Sequence, residues 1–286
     1  MRMKKRRILQ VLLICFLMLG ICMVPAKKVQ AAGPTAATLR ANKTYKTYDI
    51  TGDGNKDRFR VGTVYDSQHE ACTGLSVRIN NKVVYTLSDS HFYNVTIERY
   101  TLKNGKPFIY ICTKGDNDYA DLCALFQYRS GKFRKVIDFR TLFGNHGSNK
   151  SGRIVKISGD TVTARFYLMS YTVGPCNIEY TYKYSGGTLK RSSKYGTFDS
   201  IYTNGRDNRT FVANRNFAVF KSPGSTAKAF TLKKGKKVTA TGKCWLYNGK
   251  MYIQIKYKKN YAWVKAASVL PSSPSLQLFS NVTYVG

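Results

Sequence analysis

At 286 residues and 43% hydrophobic content, the chain is long enough for two domains with sizeable cores and too apolar for wholesale disorder. Lys and Arg number 47 against 15 Asp and Glu, a formal net charge of +32, which bears on partners and solubility rather than on fold. Three scattered histidines do not make the clustered His and Cys set that zinc requires.

The N-terminus carries Arg2, Lys4, Lys5, Arg6 and Arg7, then an apolar run over 8–24, then small residues ending Val29-Gln30-Ala31. Charged, apolar and cleavable in that order, residues 1–31 read as a secretory signal peptide, and a secreted protein is expected. Ile14 and Ile21 stand before Cys15 and Cys22, where a lipobox would need a small residue. The competing reading is an uncleaved anchor of about 17 apolar residues, near the short limit for a span. No second apolar stretch of that kind follows, so no membrane span is expected after cleavage. Cleavage leaves 40 basic and 15 acidic residues, a net +25. In an exported chain that charge favours a cell-wall polymer, peptidoglycan or an anionic glycopolymer, over nucleic acid. The plainer account is that Lys and Arg solvate the outward faces of strands.

Residues 32–44 are small and polar, a flexible mature start. Then comes Asp49-Ile50-Thr51-Gly52-Asp53-Gly54-Asn55-Lys56-Asp57. Carboxylates at the first, fifth and ninth positions, a hydroxyl at the third and a carbonyl at the seventh suit a hard cation, and the two glycines let the loop curl. Asp49, Thr51, Asp53, Asn55 (through its carbonyl) and Asp57 are therefore candidate calcium ligands. The bidentate Glu of an EF-hand would fall on Arg60, and the flanks are strand-like, so the loop is not an EF-hand. The alternative is an Asp/Gly-rich hairpin turn that holds no metal. In the form D-x-x-G-D-G-x-x-D between strands, the loop resembles the calcium loops of FG-GAP/VCBS-type β-propeller repeats. The resemblance covers this loop alone and implies calcium on Asp49, Asp53 and Asp57; Thr51 stands where those repeats carry Asn or Asp.

Over 45–205 hairpin turn signals recur at Gly52 through Asn55, Asn80-Asn81, Asn104-Gly105, Ser130-Gly131, Gly159-Asp160 and Gly186-Gly187, each flanked by strand-like runs. Leu75, Val77 and Ile79 alternate with polar residues, as do Ile178, Tyr180, Tyr182 and Tyr184, which gives each strand one buried face. Residues 108–112 are apolar on both faces and should form a central strand. An antiparallel all-β domain is expected, either a propeller-like stack of meanders or a two-layer sandwich. A full propeller needs about 40–50 residues per blade and at least four blades, for which this stretch is short. Asp116, Asp118 and Asp121 gather at one hairpin tip, as a solvated turn or a second cation site.

Five cysteines follow the signal, Cys72, Cys112, Cys123, Cys176 and Cys244, an odd number that excludes a fully paired framework within one chain. Cys112 and Cys123 flank one predicted hairpin tip and are the candidate disulfide; the other reading is that they are small buried hydrophobes.

The polar, turn-rich stretch Asn204-Gly205-Arg206-Asp207-Asn208-Arg209 marks the expected domain boundary. Over 206–270 the residues suggest a small barrel of five short strands, with Leu232-Lys233-Lys234-Gly235 as a turn near the middle and Trp263-Val264 near the end. The pattern over 212–270 resembles bacterial SH3-like (SH3b) domains, and the resemblance implies a barrel that binds cell wall or peptide. Phe220-Lys221 stands in place of the usual Arg-Ser, and Ala262 in place of the Gly before the Trp. If the barrel binds, Trp245, Tyr247, Tyr252, Tyr261 and Trp263 would stack on a sugar or peptide, with Lys256, Lys258 and Lys259 holding an anionic group; the alternative places most of the aromatics in the barrel core. Residues 271–286 are too apolar for a free tail and should dock on the protein.

Catalysis would need a nucleophile with its base, or a carboxylate pair, from these residues. Cys123 would need His69, His91 or His146 as its base, and Asp121-Leu122-Cys123-Ala124 lacks the Asp-Cys-Ser core of a wall peptidase. Glu70, Glu98 and Glu179 are the only glutamates for a glycosidase pair. A non-catalytic, calcium-stabilised wall-binding protein is expected, with a cell-wall hydrolase or its accessory subunit as the alternative.

Overall fold

The computed structural model describes residues 35–203 and 206–282. The expected signal peptide over 1–31, two residues of the expected boundary and the last four residues lie outside the described residues. The described chain is all-β, with two single 3₁₀ turns at Asp116–Asp118 and Pro274–Leu276 and no α-helix. Its first nine strands are β1 (Thr35–Leu39), β2 (Thr44–Tyr48), β3 (Asp57–Asp66), β4 (Ala71–Ile79), β5 (Lys82–Leu87), β6 (Asn94–Thr101), β7 (Pro107–Lys114), β8 (Cys123–Arg129) and β9 (Lys132–Asp138). Strands β2 to β5 form a four-stranded antiparallel meander, and β1 joins β6 to β9 in a five-stranded sheet ordered β1-β6-β7-β8-β9.

Turn chemistry sets these registers. Asn80-Asn81 (φ 48° and 68°) and Ser130-Gly131 (φ 49° and 73°) put two successive residues at positive φ, as two-residue hairpins require. The middle strand of the five, β7, is buried from 107 to 113. Its alternate residues serve two different cores. Ile109 and Ile111 join Phe59, Val61, Leu75 and Val77 of the four-stranded sheet, while Phe108, Tyr110 and Cys112 join a second core beyond. Neighbouring β8 divides the same way, Ala124 and Phe126 one way and Cys123 and Leu125 the other. Tyr85 meets Phe126 edge-on at 5.0 Å on one side of the sheet, and Phe108 meets Tyr184 at 6.2 Å on the other. The apolar run over 108–112 is thus a central strand between two layers.

The second core lies against the remaining strands: β10 (Gly147–Ser158), β11 (Thr161–Ser170), β12 (Gly174–Ser185), β13 (Thr188–Arg191), β14 (Gly196–Thr203), β15 (Arg206–Asp207), β16 (Thr210–Val212), β17 (Phe217–Phe220), β18 (Lys228–Leu232), β19 (Lys237–Tyr247), β20 (Lys250–Tyr257) and β21 (Asn260–Lys265). They form one antiparallel sheet whose main path runs β10-β11-β12-β14-β19-β20-β21-β17-β18. The barrel expected over 206–270 is therefore not closed. Its strands are a continuation of the open sheet begun before residue 205, because β14 pairs with β19 through Gly196 opposite Cys244 and Thr197 opposite Lys243.

Two local features make that continuation possible. Gly242, at φ 89°, sits in a bulge between Ala240 and Cys244, and there β19 shifts from β16 to β14 as its neighbour. Gly196 lies so close to the core that a Cβ would come within 2.7 Å of Cys244 Sγ and of the Tyr180 ring. Only a residue without a side chain allows that approach. His146, buried, adds a polar tie: Met251 N–H donates to its Nε2 at 3.2 Å, so Nδ1 carries the proton and donates to the Phe143 carbonyl at 2.9 Å. Near the C-terminus, Phe279 is buried against Phe211 and Phe217 and bridges to Ala213.

Because β7 feeds both cores, its residues tolerate truncation least. Ile111→Ala is expected to cost about 2–5 kcal/mol, whereas Val64→Ala, at a position 59% exposed, should stay within about 0.5 kcal/mol. Urea unfolding of the two variants checks the contrast.

Candidate functional site

Alternation along β19, β20 and β21 sends Cys244, Ile253, Ile255, Ala262 and Val264 into the core. The other face therefore presents Lys243, Trp245 and Tyr247 from β19, Tyr252, Gln254 and Lys256 from β20, and Tyr261, Trp263 and Lys265 from β21. Tyr195, in the connection before β14, reaches over this face. It stacks on Trp263 (5.8 Å, 22°) and meets Trp245 edge-on (5.4 Å, 78°). Trp245 also contacts Tyr247 at 5.3 Å and Trp263 at 6.4 Å. Two ammonium groups lie on the rings, Lys194 Nζ 4.5 Å from the Trp245 centroid and Lys243 Nζ 5.7 Å from that of Tyr195. Each such contact contributes about 0.5–1 kcal/mol at an exposed site, enough to hold the lysines in place without burying their charge.

Three of the five aromatic candidates, Trp245, Tyr247 and Trp263, are thus one cluster, and Tyr252 is buried. Trp263 is largely covered, and Tyr247 packs over Gly224, where a Cβ would come within 2.3 Å of its ring. Tyr261 is on the same face but 59% exposed, with Lys256 Nζ 5.7 Å from its ring. Lys194 and Tyr195 carry no signal in the sequence. They sit 51 and 50 residues before Trp245, in a connection with no motif, and only the β14–β19 pairing brings them here. Trp263 is covered by Tyr195, while the partly exposed Tyr195 and Trp245 and the exposed Tyr247 leave ring edges open beside Lys194 and Lys243, groups of the kind that take the C–H face of a sugar with an anionic group nearby. Nothing in it is paired as acid and base.

The 49–57 loop is closed by its own amides. Asp49 accepts from Gly52 N–H at 2.5 Å and Gly54 N–H at 2.9 Å, and Asp53 accepts from Asn55 N–H at 2.8 Å. Asp57, only 2% exposed, accepts from Ile50 and Thr51 N–H at 2.7 and 2.8 Å and from the Asn80 amide at 2.6 Å. Burial opposes its charge, but the Thr51 and Ile50 amides with Asn80 outweigh it and hold the carboxyl below its ordinary value of 3.8. Asp57 is thereby committed to the fold of the loop. Thr51 Oγ1 is buried beside the Asp57 carboxylate, which its hydroxyl helps hold down, and Asn55 is exposed. Arg99 lies behind, its Nη2 3.5 Å from the Asp49 carbonyl and its guanidinium over the Tyr48 ring. Among the described residues no three His, Cys, Asp or Glu side chains are placed together to hold a metal ion. The later acidic group is dispersed likewise: Asp116 accepts from Tyr93, Asp118 pairs with Lys114 and Asp121 accepts from His91 N–H.

Cys112 and Cys123 stand directly opposite each other on β7 and β8, both as free thiols. Their neighbour pair is joined by Thr113 N–H to the Leu122 carbonyl, so the cysteines occupy the close, non-hydrogen-bonded site of the ladder. Cys123 bonds to Tyr110 Oη at 3.4 Å and the Gly152 carbonyl at 3.3 Å. Its hydrogen bond to Cys112 holds the Cys112 thiol down, and burial pushes the Cys123 thiol up. None of the three histidines is Cys123's partner: His69 bonds to Asp66, His91 to Tyr93 and His146 to Phe143 and Met251.

A carboxyl whose folded value is depressed adds stability above its unfolded value and loses it as pH falls through the folded one. Acid unfolding followed below pH 3.8 should therefore be less steep in Asp57→Asn than in the parent, with the parent the more stable at neutral pH. Parallel acid profiles would remove Asp57 from that role. No family model, no curated protein and no solved structure matches this chain.

Proposed function

We propose that this is an exported, non-catalytic binding protein of the bacterial surface that attaches to a cell-wall polymer, peptidoglycan or an anionic glycopolymer. The observation that carries the reading is the cluster of Tyr195, Trp245 and Trp263 with Lys194 and Lys243 laid against it. Rings supply contact area at little entropic cost, and ammonium groups select for a neighbouring negative charge. The signal-type segment over 1–31, the net +25 beyond it and the SH3b-like pattern over 212–270 support the same reading.

Calcium belongs to this proposal as a stabiliser of the 49–57 loop. Asp49, Thr51, Asp53, the Asn55 carbonyl and Asp57 are oxygens of the kind such a cation takes; Asp49 and Asp57 both accept from loop amides, so the ion would bind to a loop they already hold closed. When bound, the ion would neutralise the loop's carboxylates and tie its two flanking strands.

Two measurements test the pair of claims. Mature protein should sediment with purified sacculi, and Trp245→Ala should weaken that binding about tenfold or more, a loss of roughly 1.4 kcal/mol or above. Binding should also fall toward 1 M salt, where the screening length shrinks to about 3 Å. Equal sedimentation of parent and variant rules the cluster out. Separately, millimolar calcium should raise the melting temperature of the parent and not of Asp53→Ala; no rise in the parent removes calcium from the loop.

A further inference from the structure

The aromatic cluster is one end of a longer surface. Residues paired across strands project from the same face, and Arg165 pairs with Glu179, Glu179 with Thr197, and Thr197 with Lys243. That row leads from β11 to β19 without leaving the outer face of the sheet. Along it lies a cleft of about 470 Å³ lined by Lys156, Thr163, Glu179, Thr181, Ser193 and Tyr195, among others. Tyr195 therefore belongs to both the cleft and the cluster. Arg165 lines the far side of this cleft and also a second one of about 400 Å³, which continues past Arg153, Tyr167 and Asn177. From Arg165 to Lys243 there are three inter-strand steps of about 4.8 Å, roughly 14 Å of surface before the rings begin.

The charges in the middle of this track decide what fits. Arg165 Nη2 lies 2.7 Å from Glu179 and 3.2 Å from Asp199, so two carboxylates sit in the middle of the track, with Arg153, opposite Arg165, and Lys156 at its edge as the remaining cations. A chain with a phosphate or carboxylate on every unit would set its charge against Glu179 and Asp199. Sugar hydroxyls, which both donate and accept, suit the carboxylates, the guanidinium and the surrounding Thr163, Thr181 and Ser193 alike.

We infer that this outer face binds a linear, largely uncharged glycan chain that runs from the Trp245–Tyr195 cluster along the row to Arg165. This rests on the wall-polymer reading above and narrows its ligand to the sugar backbone. The rings hold one sugar by stacking, and the hydroxyl-lined cleft holds the units that follow, so affinity grows with chain length.

Titration calorimetry with β-1,4-linked N-acetylglucosamine oligomers tests it on the mature chain. Affinity should rise about tenfold or more from dimer to hexamer. Thr163→Trp, which fills the cleft from a solvent-facing strand position, should abolish the gain for the hexamer and leave the dimer within about twofold; Arg165→Ala should act in the same direction. Equal affinity for dimer and hexamer, an unaffected hexamer in Thr163→Trp, or stronger binding of a polyphosphate of similar length would each overturn the proposal. The two readings fail separately: sacculus binding that needs Trp245 but ignores Thr163→Trp keeps the surface-binding reading and discards the glycan track.

Discussion

Everything in this fold hangs on β7, a strand with no solvent face over 107–113. Its odd and even residues are the two sides of a septum between separate cores, so the four-stranded sheet and the long sheet are both packed against one element. Burial of a large apolar side chain is worth about 1.5–3 kcal/mol, and β7 and β8 spend that on both sides at once. Such a strand leaves little freedom in register: a slip by one residue would exchange Ile109 and Ile111 with Phe108 and Tyr110, placing the phenol of Tyr110 in a core that offers it no Gly152 carbonyl.

The second constraint is the seam at β14 and β19. Backbone pairing there is short, two residue pairs, and depends on Gly196 for its closeness. By joining the strands before residue 203 to those after 206, the seam brings Lys194 and Tyr195 against Trp245 and Trp263, so the aromatic cluster is shared by both parts of the chain. The His146 tie to Met251 crosses the same junction from the core side.

Electrostatics in this protein divides by location. The few acidic side chains go to work in turns and in clamps: Asp49 and Asp57 fold their own loop, and Glu179 with Asp199 fixes Arg165. The basic excess is left to the exposed surface, where it attracts anionic material at long range and is screened by salt. The row from β11 to β14 is the local exception, since Glu179 and Asp199 sit there beside Arg165.

Local physics was legible in the residues themselves. Period-two alternation marked the half-buried strands, the unbroken apolar run at 108–112 marked the central one, and Asn80-Asn81 or Ser130-Gly131 marked hairpins because few residues tolerate positive φ. The sequence by itself therefore determined an all-β, antiparallel protein with its aromatics on β19 to β21. What it could not carry was anything set by the meeting of distant segments. Whether the C-terminal strands close on themselves or continue a neighbour's sheet depends on a bulge at Gly242 and a close approach at Gly196, and neither has a period or a motif. The aromatic candidates Trp245, Tyr247 and Trp263 were visible, but Tyr195 was not, since stacking is decided by tertiary distance and not by spacing along the chain. The 49–57 loop shows the same division: its oxygens were evident from composition, while the commitment of Asp57 to the amides of Ile50 and Thr51 and to Asn80 followed only once β3 and the β4–β5 turn had come together.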